Sequence, residues 1–244
     1  MKLWWAFAIG GAAILAATSS RSASASSKKD SSNNDWGKQQ TLPDYTLSPI
    51  SEISSSPERI ANRVYAYETA LVVEQNYDIE GLADFLDAVG YWESRYNPKA
   101  SGDSGKSMGL YQLRYGSAFD SADGLEYLRD TPEGYNLLNE IVTSVLFATD
   151  HVMDAIKRSR TTGSNRPCGS GAGPGDFLSA RRWWKYPSLV HDYCESNTTS
   201  EEIRGRLEKA LTATGHPHSL MYKQPSTSGW PGIKQALSDF SISI

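Results

Sequence analysis

A carboxyl group donates a proton near neutral pH only where its surroundings make ionisation costly. The acids to find first are therefore those set where apolar residues belong. Glu93 is one. Leu82, Leu86 and Val89 recur at spacings of four and three, and Glu93 follows Val89 by four and Leu86 by seven. On a helix these positions stack on one face, so Glu93 projects from the end of an apolar stripe. A carboxyl there must be paired or take up a proton, and loss of hydration favours the protonated form that a general acid needs. The stripe alone leaves one alternative open, a Glu at a fraying helix end with its head group in water.

The residues that follow narrow the choice. The chain reads Glu93-Ser94-Arg95-Tyr96-Asn97-Pro98, then a polar loop containing glycine, then Ser107-Met108-Gly109-Leu110-Tyr111-Gln112-Leu113. These two halves, behind an amphipathic helix, resemble the soluble lytic transglycosylase family of lysozyme-like enzymes. That family's signature is Glu-Ser at a helix end, Asn-Pro a few residues on, and Gly-Leu-x-Gln after a loop. The resemblance covers about twenty residues, from Glu93 to Gln112. It implies a mainly α, lysozyme-like domain that cleaves the MurNAc-GlcNAc β-1,4 bond of peptidoglycan glycan strands. One Glu would protonate the leaving oxygen, then deprotonate the sugar's own 6-hydroxyl. That closes a 1,6-anhydro ring and consumes no water. On this resemblance Glu93 is the single acid/base and Ser94 orients substrate or the Glu. Ser107, Gly109, Leu110 and Gln112 are substrate-binding positions, with the Gln112 amide offering hydrogen bonds to sugar. No metal and no organic cofactor is implied. Structural readings stand beside these: Gly109 can serve a tight turn, Leu110 the core, and Asn97-Pro98 a helix stop.

The chain departs from the family pattern downstream. Its members usually carry an Ala-Tyr-Asn-x-Gly element, which is missing here. The nearest counterpart in order is Ala180-Arg181-Arg182-Trp183-Trp184-Lys185-Tyr186. Trp183, Trp184 and Tyr186 could stack on sugar faces, and an Arg could meet carboxylates of the peptide stems. The alternative is a core Trp pair beside surface Arg. A hydrolase would need a second carboxylate. Asp103, in the polar loop, is the one that could reach the cleft; Asp84, Asp87, Asp120 and Asp123 are expected to be solvated. Two rivals remain: a water-using muramidase of the same fold, and a non-catalytic wall-binding or structural protein of an envelope or a virion.

The elements that must position these residues are helical. Ser56-Pro57-Glu58 is a helix start, and Ile60, Val64, Tyr67 and Leu71 follow at helical spacing. The second helix holds Leu82 to Glu93. Thr131-Pro132-Glu133 opens a third, with one long stripe from Leu138 to Ile156. Thr199 and Glu202 form a capping box ahead of Ile203 and Leu207, and Gly215 stops that helix. Strand patterning is nearly absent; Tyr111 to Tyr115 is the one tempting stretch. A Gly-rich loop covers residues 163 to 175.

The N-terminus is expected to lie outside the fold. Lys2 precedes an apolar run from Leu3 to Ala17, and Ala23-Ser24-Ala25 offers a cleavage site. Residues 1–25 therefore read as a signal peptide. An uncleaved membrane anchor is the competing reading, with Arg21, Lys28 and Lys29 behind the run. Either way the protein is expected to be exported, to the periplasm or cell envelope, or to be part of a virion. Residues 26–57, rich in Ser, read as a disordered tether, and 58–244 as the catalytic domain. A formal net charge of −4 argues against a nucleic-acid partner. Cys168 and Cys194, the two cysteines, cannot build a zinc ribbon, and they could pair as a disulfide. His216-Pro217-His218 is expected to be a solvated loop, and His151 a lone histidine on a helix.

Overall fold

The computed structural model describes residues 42, 45–114, 118–119, 125–161, 175–185 and 197–244, with the backbone only at 161, 183, 185 and 197–200. Residues 44–244 form one unit. Among the described residues it is mainly helical: α1 (Pro57–Tyr77), α2 (Leu82–Ser94), α3 (Pro132–Asn139), α4 (Ile141–Thr161), α5 (Phe177–Lys185), α6 (Asn197–Thr214) and α7 (Ile233–Asp239). Three two-residue strands between α2 and α3 form an antiparallel sheet in the order β1 (Ser101–Gly102), β2 (Ser107–Met108), β3 (Leu113–Arg114). β3 falls within the stretch from Tyr111 to Tyr115. No described helix is long and apolar enough to cross a membrane.

α2 is the element that matters most, and it is packed on three sides by α1, α6 and α4. Leu82, Phe85, Leu86, Ala88 and Val89 have no more than trace exposure. Its N-cap, Gly81, has no side chain to offer the free amides of the first turn. Glu74 of α1 supplies a carboxylate instead, accepting from Gly81 N at 3.0 Å and Ala83 N at 2.9 Å.

Several starts and stops are as the sequence predicts. Ser56 caps α1 by accepting from Arg59 N, and Thr131 caps α3 by accepting from Gly134 N. Gly215, at φ +84°, ends α6, and His216 N reaches back to Leu211 O.

Three expectations are corrected. The buried face of α1 runs through Arg63, Ala66, Tyr67, Ala70 and Leu71, whereas Ile60 is 42% exposed. The long third helix is two helices, α3 and α4, because Glu140 is extended (ψ 136°) between them. The last part of the Ser-rich segment is packed, not a free tether. Ile50 and Ile53 are buried, and Tyr45 lies against Tyr67 with its hydroxyl on Glu68 at 2.5 Å. Composition misled here because a few apolar residues in a polar stretch are enough to dock it.

A buried ionic cluster fastens this arm. Arg63 forms a two-pronged pair with Asp87 of α2, Nε to Oδ1 at 2.9 Å and Nη2 to Oδ2 at 2.7 Å. It also donates to Ser48 O on the arm at 2.5 Å and to Thr214 O at the end of α6 at 3.2 Å. His216 sits 2.8 Å from Asp87 and 3.4 Å from Asp84, its ring stacked on Tyr67. The sequence suggests that Asp87 and His216 are solvated; the structure instead holds both in this cluster.

Candidate active site

Two consecutive residues after Ser94 adopt left-handed backbone without being glycine: Arg95 at φ +54° and Tyr96 at φ +59°. Each costs of order 1 kcal/mol and persists only where its surroundings hold it. Tyr96 is held firmly. It is buried, its hydroxyl donates to Asp87 Oδ1 at 2.9 Å, and Asn62 of α1 donates to its carbonyl at 3.1 Å. Arg95 folds back over the Tyr91 ring and onto the Tyr91 and Trp92 carbonyls. The sharp corner ends α2 at Ser94 and leaves Glu93 in its final turn.

The two halves of the motif meet. Ser94 Oγ donates to Leu110 O at 2.7 Å and accepts from Asn97 N at 3.1 Å. Leu110 is fully buried and lies on Gly90, where an added Cβ would come within 2.9 Å of it. Gly109 has φ +77°, and a Cβ there would run into the Leu138 carbonyl. Only glycine fits, because α3 passes directly behind it. Gln112 Nε2 donates to Ala100 O at 2.9 Å and Gly109 O at 3.0 Å, so its amide ties the residue before β1 to the turn beyond β2. Ser107 is buried and donates to Asp103 Oδ2 at 2.8 Å. In this arrangement Ser94, Ser107, Gly109, Leu110 and Gln112 all serve the join between helix and sheet. Asp103 is exposed at the turn of the sheet, and Asp84 and Asp87 belong to the Arg63 cluster.

Glu93 is neither in water nor alone. Its carboxylate is ion-paired with Arg181 of α5, and their side chains are 10% and 0% exposed. The guanidinium carbon lies 4.2 Å from the centre of the Trp92 ring and 5.3 Å from that of Trp184. These are cation-π distances on both rings. Trp184 is itself buried, 6.4 Å from Tyr111 and edge-on to His151 at 5.1 Å. Burial pushes the His151 imidazole down to about 4, with Arg181 and Arg158 adding to the effect and Asp154 opposing it. It is neutral at physiological pH. α5 is set in place by Asp176, whose Oδ1 accepts from Ser179 N and Oγ, and by Phe177 stacked on Phe85 of α2 at 4.5 Å.

The structure thus brings together Glu93, Trp184 and the Ser94-to-Gln112 join. Trp183 lies in α5 with only its backbone described, and Tyr186 lies outside the described residues, as do Asp120, Asp123, His191, Cys168, Cys194 and residues 1–41. The sequence leaves the Arg of residues 180–186 open between a partner for substrate carboxylates and a surface residue; the structure makes Arg181 the partner of Glu93 instead. The signal was present: Arg181 follows Phe177 by four and precedes Trp184 by three, the same buried spacing that marks Glu93. Among the described residues no group of three or more His, Cys, Asp or Glu could hold a metal ion. Neither a protein-family model, nor a curated protein, nor a solved structure matches the chain.

Proposed function

We propose that the chain is a lysozyme-like peptidoglycan lytic transglycosylase with Glu93 as its single acid/base. One observation carries this: the helix-end Glu93-Ser94 and the Gly109-Leu110-x-Gln112 turn, sixteen residues apart in the chain between Ser94 and Leu110, are joined by a side-chain hydrogen bond. A largely covered carboxyl at a strained helix end, paired with a guanidinium that lies against Trp92 and Trp184, supports a role in proton transfer to a glycosidic oxygen. The carboxyl gives its proton to the leaving oxygen as the C1–O bond breaks. It then takes the proton of the 6-hydroxyl as that oxygen bonds to C1. The apolar N-terminal run supports action outside the cytoplasm, in an envelope or a virion.

One observation favours a different class, a non-catalytic wall-binding or structural protein: Glu93 already has an ionic partner in Arg181, as a purely structural acid would. Mass spectrometry separates the two. The full chain and Glu93→Gln are incubated with purified peptidoglycan. Muropeptides about one water lighter than hydrolytic products, absent with the Gln variant, are expected. Reducing ends would mean a muramidase and direct attention to Asp103. No release from the folded chain would favour the non-catalytic class.

A further inference from the structure

The donors of the motif are spent inside the fold. Gln112 gives its amide hydrogens to Ala100 O and Gly109 O, and Ser94 and Ser107 give their hydroxyl protons to Leu110 O and Asp103. No donor among them is left for a sugar. Trp184 is 8% exposed, with Tyr111 and His151 beside it, and offers a sugar ring no face to lie on. A glycan that reaches Glu93 must be held by another residue.

Trp92 has what these lack. It is half-buried and stands one residue before Glu93, in the last turn of α2. The Arg181 guanidinium lies over its ring, 4.2 Å from the centre, and is also paired with Glu93. One planar group thus touches both the acid and the indole, so a single disaccharide is long enough to reach both. Trp92 Nε1 has no acceptor among the described residues and is not enclosed, whereas Trp230 Nε1 is spent on Asp150 Oδ1 at 2.8 Å. A pyranose presents C–H groups on its faces and oxygen atoms around its rim. An indole answers both, with a large apolar ring and one N–H donor.

We propose that Trp92 is a glycan-binding residue of this site: an N-acetylhexosamine ring lies against the open part of its indole and accepts a hydrogen bond from Nε1. The identity of the glycan rests on the proposed function; the contact does not require that the chain cut it. The indole N–H resonance of Trp92, assigned by its loss in Trp92→Phe, is followed in the full Glu93→Gln chain, which does not turn over substrate. Soluble peptidoglycan strands freed of their peptide stems are added. Calorimetry gives their affinity with and without Trp92→Ala or Trp92→Phe in the same chain. Muropeptide release by the unaltered chain is measured beside it.

The Trp92 resonance is expected to move and saturate. Trp92→Ala should weaken binding about tenfold, and Trp92→Phe, which keeps a ring without the N–H, by less. Strands that bind while the Trp92 resonance stays still overturn the proposal. So does a folded Trp92→Ala of unchanged affinity. If that variant does not fold, the resonance decides. Release without movement at Trp92 overturns the proposal and leaves the transglycosylase reading standing. Movement without release supports the proposal and defeats that reading in favour of a wall-binding protein. Neither binding nor release defeats both.

Discussion

Two buried aspartates respond to protons in opposite directions, and the difference lies in what faces them. Burial pushes Asp87 upward, but hydrogen bonds from His216 and Arg63 outweigh it, and the net shift is downward. The stability it contributes is present above its unfolded value near 4 and is lost as pH falls through the lower folded value. Asp150 on α4 forms no ion pair among the described residues, and Lys157 lowers it only through its charge. Its Oδ1 accepts from Trp230 Nε1 at 2.8 Å, and burial is the largest cause pushing it up to about 6. A raised carboxyl works the other way. Its stabilising effect is complete below about pH 4 and is lost as pH rises through 6. Asp150→Asn, which cannot ionise, should therefore gain on the unaltered chain by up to about 3 kcal/mol between pH 4 and pH 8. Urea denaturation at the two pH values measures this; a constant difference between the proteins would refute it. Sequence reasoning found Glu93 because its stripe is local. It misjudged Asp87 because Arg63 lies 24 residues before it and His216 129 residues after. Arg181 is harder to read because a long cationic side chain among aromatic residues fits a surface position as well as a buried one.

At the scale of elements, the helix starts were legible because caps are local: Ser56 and Thr131 announce α1 and α3 from adjacent residues. The α3–α4 break was not, because no Gly or Pro marks Glu140, and the apolar stripe continues across it. Of the small sheet only β3 showed, within Tyr111 to Tyr115; β1 and β2 were not legible because two-residue strands carry no alternation. What builds it is side-chain chemistry: Ser94, Gln112 and Ser107 each bond to backbone or to a neighbour across it. Gly109 is the tightest point of this join. Gly109→Ala must both hold φ +77° and push against the Leu138 carbonyl. We expect a loss of at least about 2 kcal/mol in urea denaturation. On the proposed transglycosylase reading, release of muropeptides should fall further than the loss of stability alone explains, since a turn pushed off α3 would disturb the neighbouring Ser94–Leu110 bond beside Glu93. A variant as stable as the unaltered chain would show that α3 yields easily.

For the whole molecule, the boundary of the folded unit is at residue 44 and not at 58. A chain cut to 58–244 loses Ile50 and Ile53, each worth about 1.5–3 kcal/mol on burial. It also strips Arg63 of the Ser48 carbonyl. Relative to 44–244 it should be less stable by roughly 3–6 kcal/mol, as a shift in thermal or urea midpoint would show; equal midpoints would mean the arm is only draped on the body.

The way the arm is fastened also decides how the body would bear tension. A pull on the chain from its N-terminal side would peel the arm contact by contact. Tyr45 would leave Tyr67 first, then Ser48 would leave Arg63, and only then would Ile50 and Ile53 come free. Arg63 keeps both prongs on Asp87 throughout, because those bonds lie within the body. Glu52, between Ile50 and Ile53, accepts from Tyr91 of α2 at 2.8 Å, so the last contacts to yield are the ones that would pass tension to the helix that carries Glu93.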